Sequence, residues 1–256
     1  MCGIFGVFYT DRAFEQLCRE VSLADGAQER KVVPHESLLA LLAPPNLKRG
    51  NKAFGYFAWR EDLRFARRWT VPFNADALTA LRMKLIVCHN RAPTDGDADN
   101  IAEVHPYSTQ FGELFMNGIL LNYLDPQFEE RRHHSSRVDT AYLAGNLDYH
   151  LVNGDLQSPI EDAIATAVGE FKGQQACVYV ERKWGETFVW RVMSTLYFGG
   201  HRKLGYSTIS STRIPGLCEE EVPQGIVYTV DRNRCLLVPR AEFAYESIYE
   251  AKVTQS

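Results

Sequence analysis

The chain has 256 residues, 45% hydrophobic and 23% charged, the balance of a folded globular protein rather than a disordered one. Its formal charge of −4 supplies no basic field for gripping nucleic acid. Apolar stretches such as Ser37–Ala43 and Leu85–Cys88 fall far short of the ~20 residues that span a bilayer, so no membrane insertion is expected.

The opening run Met1–Phe8 is apolar but brief, with no cationic residues before it and no small-residue cleavage pattern after it. A cytoplasmic location is therefore expected. Short β-like runs follow along the chain: Gly3–Tyr9, Phe54–Trp59, Lys84–His89, Glu113–Met116, Ala176–Glu181, Thr187–Met193, Leu196–Phe198 and Gly225–Val230. They are rich in Val, Ile, Phe and Tyr, and several alternate apolar with polar. Lys183-Trp184-Gly185-Glu186 reads as a hairpin loop between two of them. Helical patterns lie between the strands. His35–Ala43 is leucine-rich and is expected to stop at Pro44. Ala75–Lys84 carries spaced leucines, Asp139–Tyr149 is opened by Asp139, and Ser158–Phe171 begins with a capping-box arrangement over Ser158-Pro159-Ile160-Glu161. Strands outnumber helices and dominate the C-terminal third, which predicts an α+β fold with largely antiparallel sheets covered by helices.

Six cysteines (Cys2, Cys18, Cys88, Cys177, Cys218, Cys235) lack any C-x-x-C or Cys/His metal spacing. They are expected to be free thiols in a reducing compartment, and neither a metal nor another cofactor is expected. His133-His134 beside Arg131 and Arg132 reads as a solvated polar loop, because no carboxylate or thiol stands at ligand spacing.

Cys2 follows the initiator methionine, and methionine is generally trimmed before so small a residue. The processed chain would then begin with a thiol and a free α-amine on one residue. The α-amine has an ordinary pKa of about 7.7–8.0 and the thiol of about 8.5, so near neutral pH each has an accessible basic form. The amine can take the thiol proton directly or through one water, which makes nucleophile and general base a single residue. The bland alternative is a small buried hydrophobe at the start of a strand. Asn117-Gly118 follows the apolar run Leu114-Phe115-Met116. Alone it reads as a tight turn. Beside a thiolate, the Asn amide and the next backbone N–H would form a two-donor oxyanion hole.

Met1-Cys2-Gly3-Ile4, Arg49-Gly50 before Phe54-Gly55, His89-Asn90-Arg91-Ala92-Pro93-Thr94-Asp95-Gly96, His105-Pro106 and Asn117-Gly118-Ile119-Leu120-Leu121-Asn122 occur in that order. Val138-Asp139-Thr140, Phe171-Lys172-Gly173-Gln174-Gln175-Ala176, Gly205-Tyr206-Ser207-Thr208 and Pro223-Gln224-Gly225-Ile226 continue it. Together they resemble the class II, N-terminal-nucleophile glutamine amidotransferases, with a pattern similar to the glutaminase domain of glucosamine-6-phosphate synthase. The resemblance covers essentially the whole chain. It implies a four-layer αββα sandwich in one glutaminase domain over residues 1–256.

The resemblance also implies roles. Cys2 would attack the glutamine side-chain amide, release ammonia and carry a γ-glutamyl thioester, with Asn117 and Gly118 stabilising the oxyanion. Arg91 would hold the substrate α-carboxylate by a bidentate pair, and Asp139 its α-ammonium. Thr94 and His105 match positions lining the glutamine pocket, and Arg49-Gly50 a segment that supports the nucleophile. From the residues alone, Asp139 also reads as a helix N-cap and His105 as a satisfied structural histidine. Two positions depart from the family. Ala92 stands where Trp is common, so one wall of the pocket is smaller or is supplied from elsewhere, and Asp95 stands where His is common. The partners implied are L-glutamine or a related γ-glutamyl amide, and a separate ammonia-accepting synthase acting in trans. The alternatives are a hydrolase of another γ-glutamyl amide and a catalytically silent regulatory or scaffold protein of the same fold.

Overall fold

The computed structural model of the chain describes residues 2–22, 35–71, 73, 82–92, 97, 99–154 and 158–245. Its elements in order are β1 (Gly3–Tyr9), α1 (Asp11–Ser22), α2 (His35–Leu47), β2 (Ala53–Arg60), β3 (Leu63–Trp69), β4 (Leu85–Arg91), β5 (Tyr107–Ser108) and β6 (Gly112–Leu120). There follow α3 (Pro126–Arg131), α4 (Asp139–Asn153), α5 (Ile160–Gly169), β7 (Gly173–Glu181), β8 (Thr187–Val192), β9 (Tyr197–His201), β10 (Tyr206–Ser210), β11 (Glu220–Glu221), β12 (Ile226–Asp231) and β13 (Leu236–Glu242).

The strands form two sheets whose strand pairings are antiparallel. One has seven strands in the order β11-β9-β10-β1-β4-β2-β3, the other six in the order β13-β12-β8-β7-β6-β5. Because side chains alternate across a strand, each sheet can feed two cores. On β1, Phe5, Val7 and Tyr9 pack with Phe14 and Leu17 of α1 and Leu38, Leu39 and Leu42 of α2. Ile4 and Phe8 turn the other way and meet Phe115, Val178 and Val189 of the second sheet. On β6, Leu114 and Met116 face Leu143, Leu147 and Ile164 of α4 and α5. The result is helix, sheet, sheet, helix: the αββα sandwich that the resemblance implied. No helix among the described residues is long and apolar enough to cross a membrane. All six cysteines are free.

Several local expectations need correction. α2 runs through Pro44 and Pro45 to Leu47 instead of stopping at Pro44. Proline removes backbone donors from the final turn, and there the Asn46 amide donates to Leu42 O at 2.8 Å, closing the turn with a side chain. Asn117-Gly118 is no turn; it lies inside β6, paired with Ala176 and Gln175 of β7. α5 begins at Ile160 with Pro159 as its cap and no side-chain bond, so Ser158 does not cap it. The helix expected over Ala75–Lys84 lies mostly outside the described residues, and Arg82–Lys84 are not helical. The Lys183–Glu186 hairpin joins β7 and β8 as expected.

Phe115 is fully buried between the sheets. Phe115→Ala is expected to cost about 3–5 kcal/mol and Phe115→Leu clearly less, read as a fall in the urea midpoint. A loss below about 1 kcal/mol for the alanine variant would contradict a close-packed inter-sheet core.

Candidate active site

Antiparallel pairing of β1 with β4 sets Gly3 opposite Asn90. The residue before β1, Cys2, and the last residue of β4, Arg91, therefore come to the same end of the sheet. Cys2 Sγ accepts a hydrogen bond from the Ala92 N–H at 3.4 Å and lies 3.5 Å from Ala92 O. Burial pushes the thiol pKa up, opposed by the Ala92 hydrogen bond and by the charge of Arg91. The nucleophile candidate is thus held as a thiol near neutral pH, and a base must take its proton.

Arg49 fixes the backbone beneath it. Its Nε donates to Cys2 O at 3.0 Å, while Nη1 donates to Thr195 Oγ1 at 3.0 Å and Ser211 O at 2.9 Å. Gly50 is needed for a plain steric reason. A Cβ there would stand 2.6 Å from Asn90 O and the Arg91 carbonyl carbon.

A cavity of about 360 Å³ opens at this end, lined by Cys2, Arg91, Glu103, His105, Gly118 and Asp139 among others. Asn117 immediately precedes Gly118 and pairs with Ala176, a member of the inter-sheet core. It is buried, and its Nδ2 donor has no hydrogen-bond partner among the described residues. A buried amide donor without a partner is costly unless something else completes it. At Gly118 a Cβ would lie 2.1 Å from Gln174 O, so the close approach of β7 by itself demands glycine.

Arg91 is buried and already engaged. Its Nη2 donates to Glu103 Oε2 at 2.7 Å and its Nη1 to Asp97 O at 3.0 Å. Glu103 also accepts from Asp97 N at 2.8 Å and from Asn100 Nδ2 at 3.0 Å. Sequence reading missed this carboxylate. A signal was present in Asn100-Ile101-Ala102-Glu103, where Asn100 caps the short turn Ile101–Glu103 and Glu103 reaches back.

Asp139 is the first residue of α4, whose cap is Val138, so it stands one position inside the helix and is not the N-cap. Its Oδ2 accepts from Leu120 N at 3.0 Å and Oδ1 from Thr140 N at 2.7 Å. Two backbone donors and the positive end of the helix stabilise a carboxylate there. His105 is buried, with its ring centroid 3.8 Å from that of His89. His89 Nε2 lies 3.1 Å from Met116 O, which can only accept. Burial lowers the pKa of His89 to about 3 and drives that of His105 well below its usual value, where His89 adds to the effect. Both rings are neutral at physiological pH.

Of the expected site residues, Cys2, Arg91, His105, Gly118 and Asp139 share one cavity, and Arg49 and Gly50 support its floor. Asn117 lies one residue from it. Thr94 lies outside the described residues. Among the described residues no group of three or more His, Cys, Asp or Glu is placed to hold a metal.

No family model and no curated protein matches the chain. Solved structures share its fold. Glutamine phosphoribosylpyrophosphate (PRPP) amidotransferase from B. subtilis, complexed with ADP and GMP, aligns with a TM-score of 0.65 at 17% identity, over 95% of this chain and 49% of that one. A structure of the allosteric regulatory enzyme of purine biosynthesis aligns with a TM-score of 0.64 at 18% identity, again over 95% and 49%. A glutamine aminotransferase class-II domain protein from Silicibacter pomeroyi gives 0.53 at 12% identity, over 76% of this chain and 97% of that one. The likeness is one of fold, and the chain spans about half the length of the first two proteins.

The two neutral imidazoles make a pH prediction. In the unfolded chain a histidine titrates near 6.5. Between that pH and the lower folded values, the unfolded state binds more protons, so stability falls as pH drops. The urea midpoint is expected to decline from pH 6.5 to pH 5, before carboxylates contribute, and His89→Gln to flatten part of that decline. A midpoint constant over this window would refute burial of neutral rings.

Proposed function

We propose that this chain hydrolyses the side-chain amide of glutamine through a Cys2 thioester and passes the ammonia to a synthase acting in trans. The observation that carries the proposal is the single cavity lined by Cys2, Arg91, Gly118 and Asp139, which come from four separate parts of the fold. The αββα architecture shared with glutamine amidotransferases supports it. The two sheets share one core, which supports reading the described residues as one glutaminase domain, and six free thiols suit a reducing cytoplasm.

In this reading the chain is processed so that Cys2 bears the free α-amine. The amine takes the proton from Sγ, and the sulfur attacks the amide carbon. Negative charge developing on the amide oxygen is met by Asn117 Nδ2 and the Gly118 N–H. As the C–N bond breaks, the protonated amine returns its proton to the departing nitrogen, which leaves as ammonia. Water, deprotonated by the same amine, then attacks the thioester and releases glutamate and the thiol. Arg91 pairs with the substrate α-carboxylate while still bonded to Glu103, and Asp139 accepts from the α-ammonium.

A second reading, hydrolysis of a bulkier γ-glutamyl amide, is favoured by Ala92, a small residue in the cavity wall. Comparing ammonia release from glutamine with amine release from N-alkyl γ-glutamyl amides separates the two readings.

Incubation with a glutamine-like diazo-ketone, followed by intact-mass analysis, is expected to show Met1 removed and one adduct on Cys2, with none in Cys2→Ala. Retained Met1 in an active enzyme would rule out the amine base, and no adduct would favour the silent scaffold. Asn117→Ala is expected to lower kcat by roughly 10²–10³ with KM little changed. A KM effect alone would mean that the amide binds substrate instead of the oxyanion.

A further inference from the structure

Thr140 is the second residue of α4, is buried, and lines the cavity beside Asp139. Its hydroxyl stands between two groups, 3.4 Å from Asp139 Oδ1 and 3.2 Å from His105 Nε2. A helical threonine commonly turns its hydroxyl back to its own helix, but this one reaches outward. An ionised carboxylate has only lone pairs to offer, whereas a hydroxyl donating to His105 Nε2 would leave an Nδ1–H donor buried without a partner among the described residues, so the hydroxyl proton is assigned to Asp139. With that single proton spent, the contact to His105 must be made by the ring, whose Nε2–H donates to Thr140 Oγ1. The hydrogen bonds therefore run in one direction and assign the His105 tautomer. His105 Nδ1 is then a bare lone pair, buried and without a partner among the described residues.

We propose that Thr140 and His105 are positioning residues: the chain His105 Nε2–H to Thr140 Oγ1–H to Asp139 Oδ1 locks the carboxylate that receives the substrate α-ammonium. The proposal rests on the glutamine reading above. Asp139 already accepts from the Leu120 and Thr140 amides, so a swing of its carboxylate toward or away from substrate would break those bonds. The hydroxyl adds a third donor from the cavity side. It also couples the carboxylate to a ring clamped between His89 and Tyr107, whose centroids lie 3.8 and 5.2 Å away.

The test uses the full chain, unmodified and as Thr140→Val and Thr140→Ser. Valine keeps the shape and removes the hydroxyl. A hydrogen bond to a charged group carries about a tenfold effect or more. KM for glutamine is expected to rise by about tenfold in Thr140→Val with kcat within about twofold, and serine to restore most of the KM. Nitrogen-15 NMR of the unmodified chain is expected to show His105 as the Nε2–H tautomer, a measurement that needs no variant to fold. An unmoved KM in the valine variant, a kcat loss at constant KM, serine behaving as valine, or an Nδ1–H His105 in an active enzyme would each overturn the proposal alone. An unmodified chain that neither takes the Cys2 adduct nor turns over glutamine would instead sink the functional reading, and the substrate role of the hydrogen-bond chain with it.

Discussion

The site depends on the backbone of β1 being unable to move. β1 is the central strand of its sheet, hydrogen-bonded to β10 on one side and β4 on the other. Cys2 is the residue immediately outside that ladder, and Arg49 takes its carbonyl. A residue just beyond a strand end would ordinarily fray. Here the ladder and one guanidinium hold it, and a thiol attached to such a backbone has a defined place. Antiparallel pairing then brings the end of β4 back beside it, and with it Arg91 and the Ala92 amide that touches the sulfur.

Along β4 the face turned to the other sheet reads Leu85, Val87, His89, Arg91. The first two belong to the inter-sheet core, and the last two are buried polar groups with specific partners. β6 makes the same change from Phe115 to Asn117. The hydrophobic layer thus ends in the site without a loop between them. This is why its charged groups are so thoroughly bonded: at that depth an unpaired charge is expensive. Arg91 with Glu103, and Asp139 with two backbone amides, meet that requirement before any ligand arrives.

The electrostatics also bear on the proposed chemistry. Burial raises the thiol pKa and keeps both nearby imidazoles neutral. Neither imidazole bonds the sulfur: His89 bonds Met116 O and His105 bonds Thr140. Under the proposed mechanism a protonated Cys2 with no histidine partner needs another base, and the α-amine of a processed Cys2 would be the group suited to the task. In the proposed mechanism the neutral rings would serve a different end, keeping cationic charge away from the Asp139 carboxylate.

What the sequence alone determined was the set of strands with clear alternation, the antiparallel α+β class, and the ordered motifs from Cys2 to Ile226 that carry the resemblance. Those signals are local, because a period of two or a short motif is complete within a few residues. β3, rich in arginine, and β13, whose apolar residues run together without alternating and are broken by Pro239, carried no such period and went unread. The Asn117-Gly118 dipeptide reads locally as a turn, yet pairing with β7 along the whole of β6 holds it extended, since sheet pairing overrides a local turn preference. Likewise Pro44 failed to end α2, because a side-chain donor and the packing of Leu42 and Ala43 held the last turn. Only the tertiary structure decided that Arg91 is shared with Glu103, that Asp139 sits inside its helix, and that Thr140 joins it to His105. The first and last are contacts between side chains whose distance depends on how sheets and helices stack, and the second is fixed where the Leu120 amide meets the start of α4; no spacing along the chain records them.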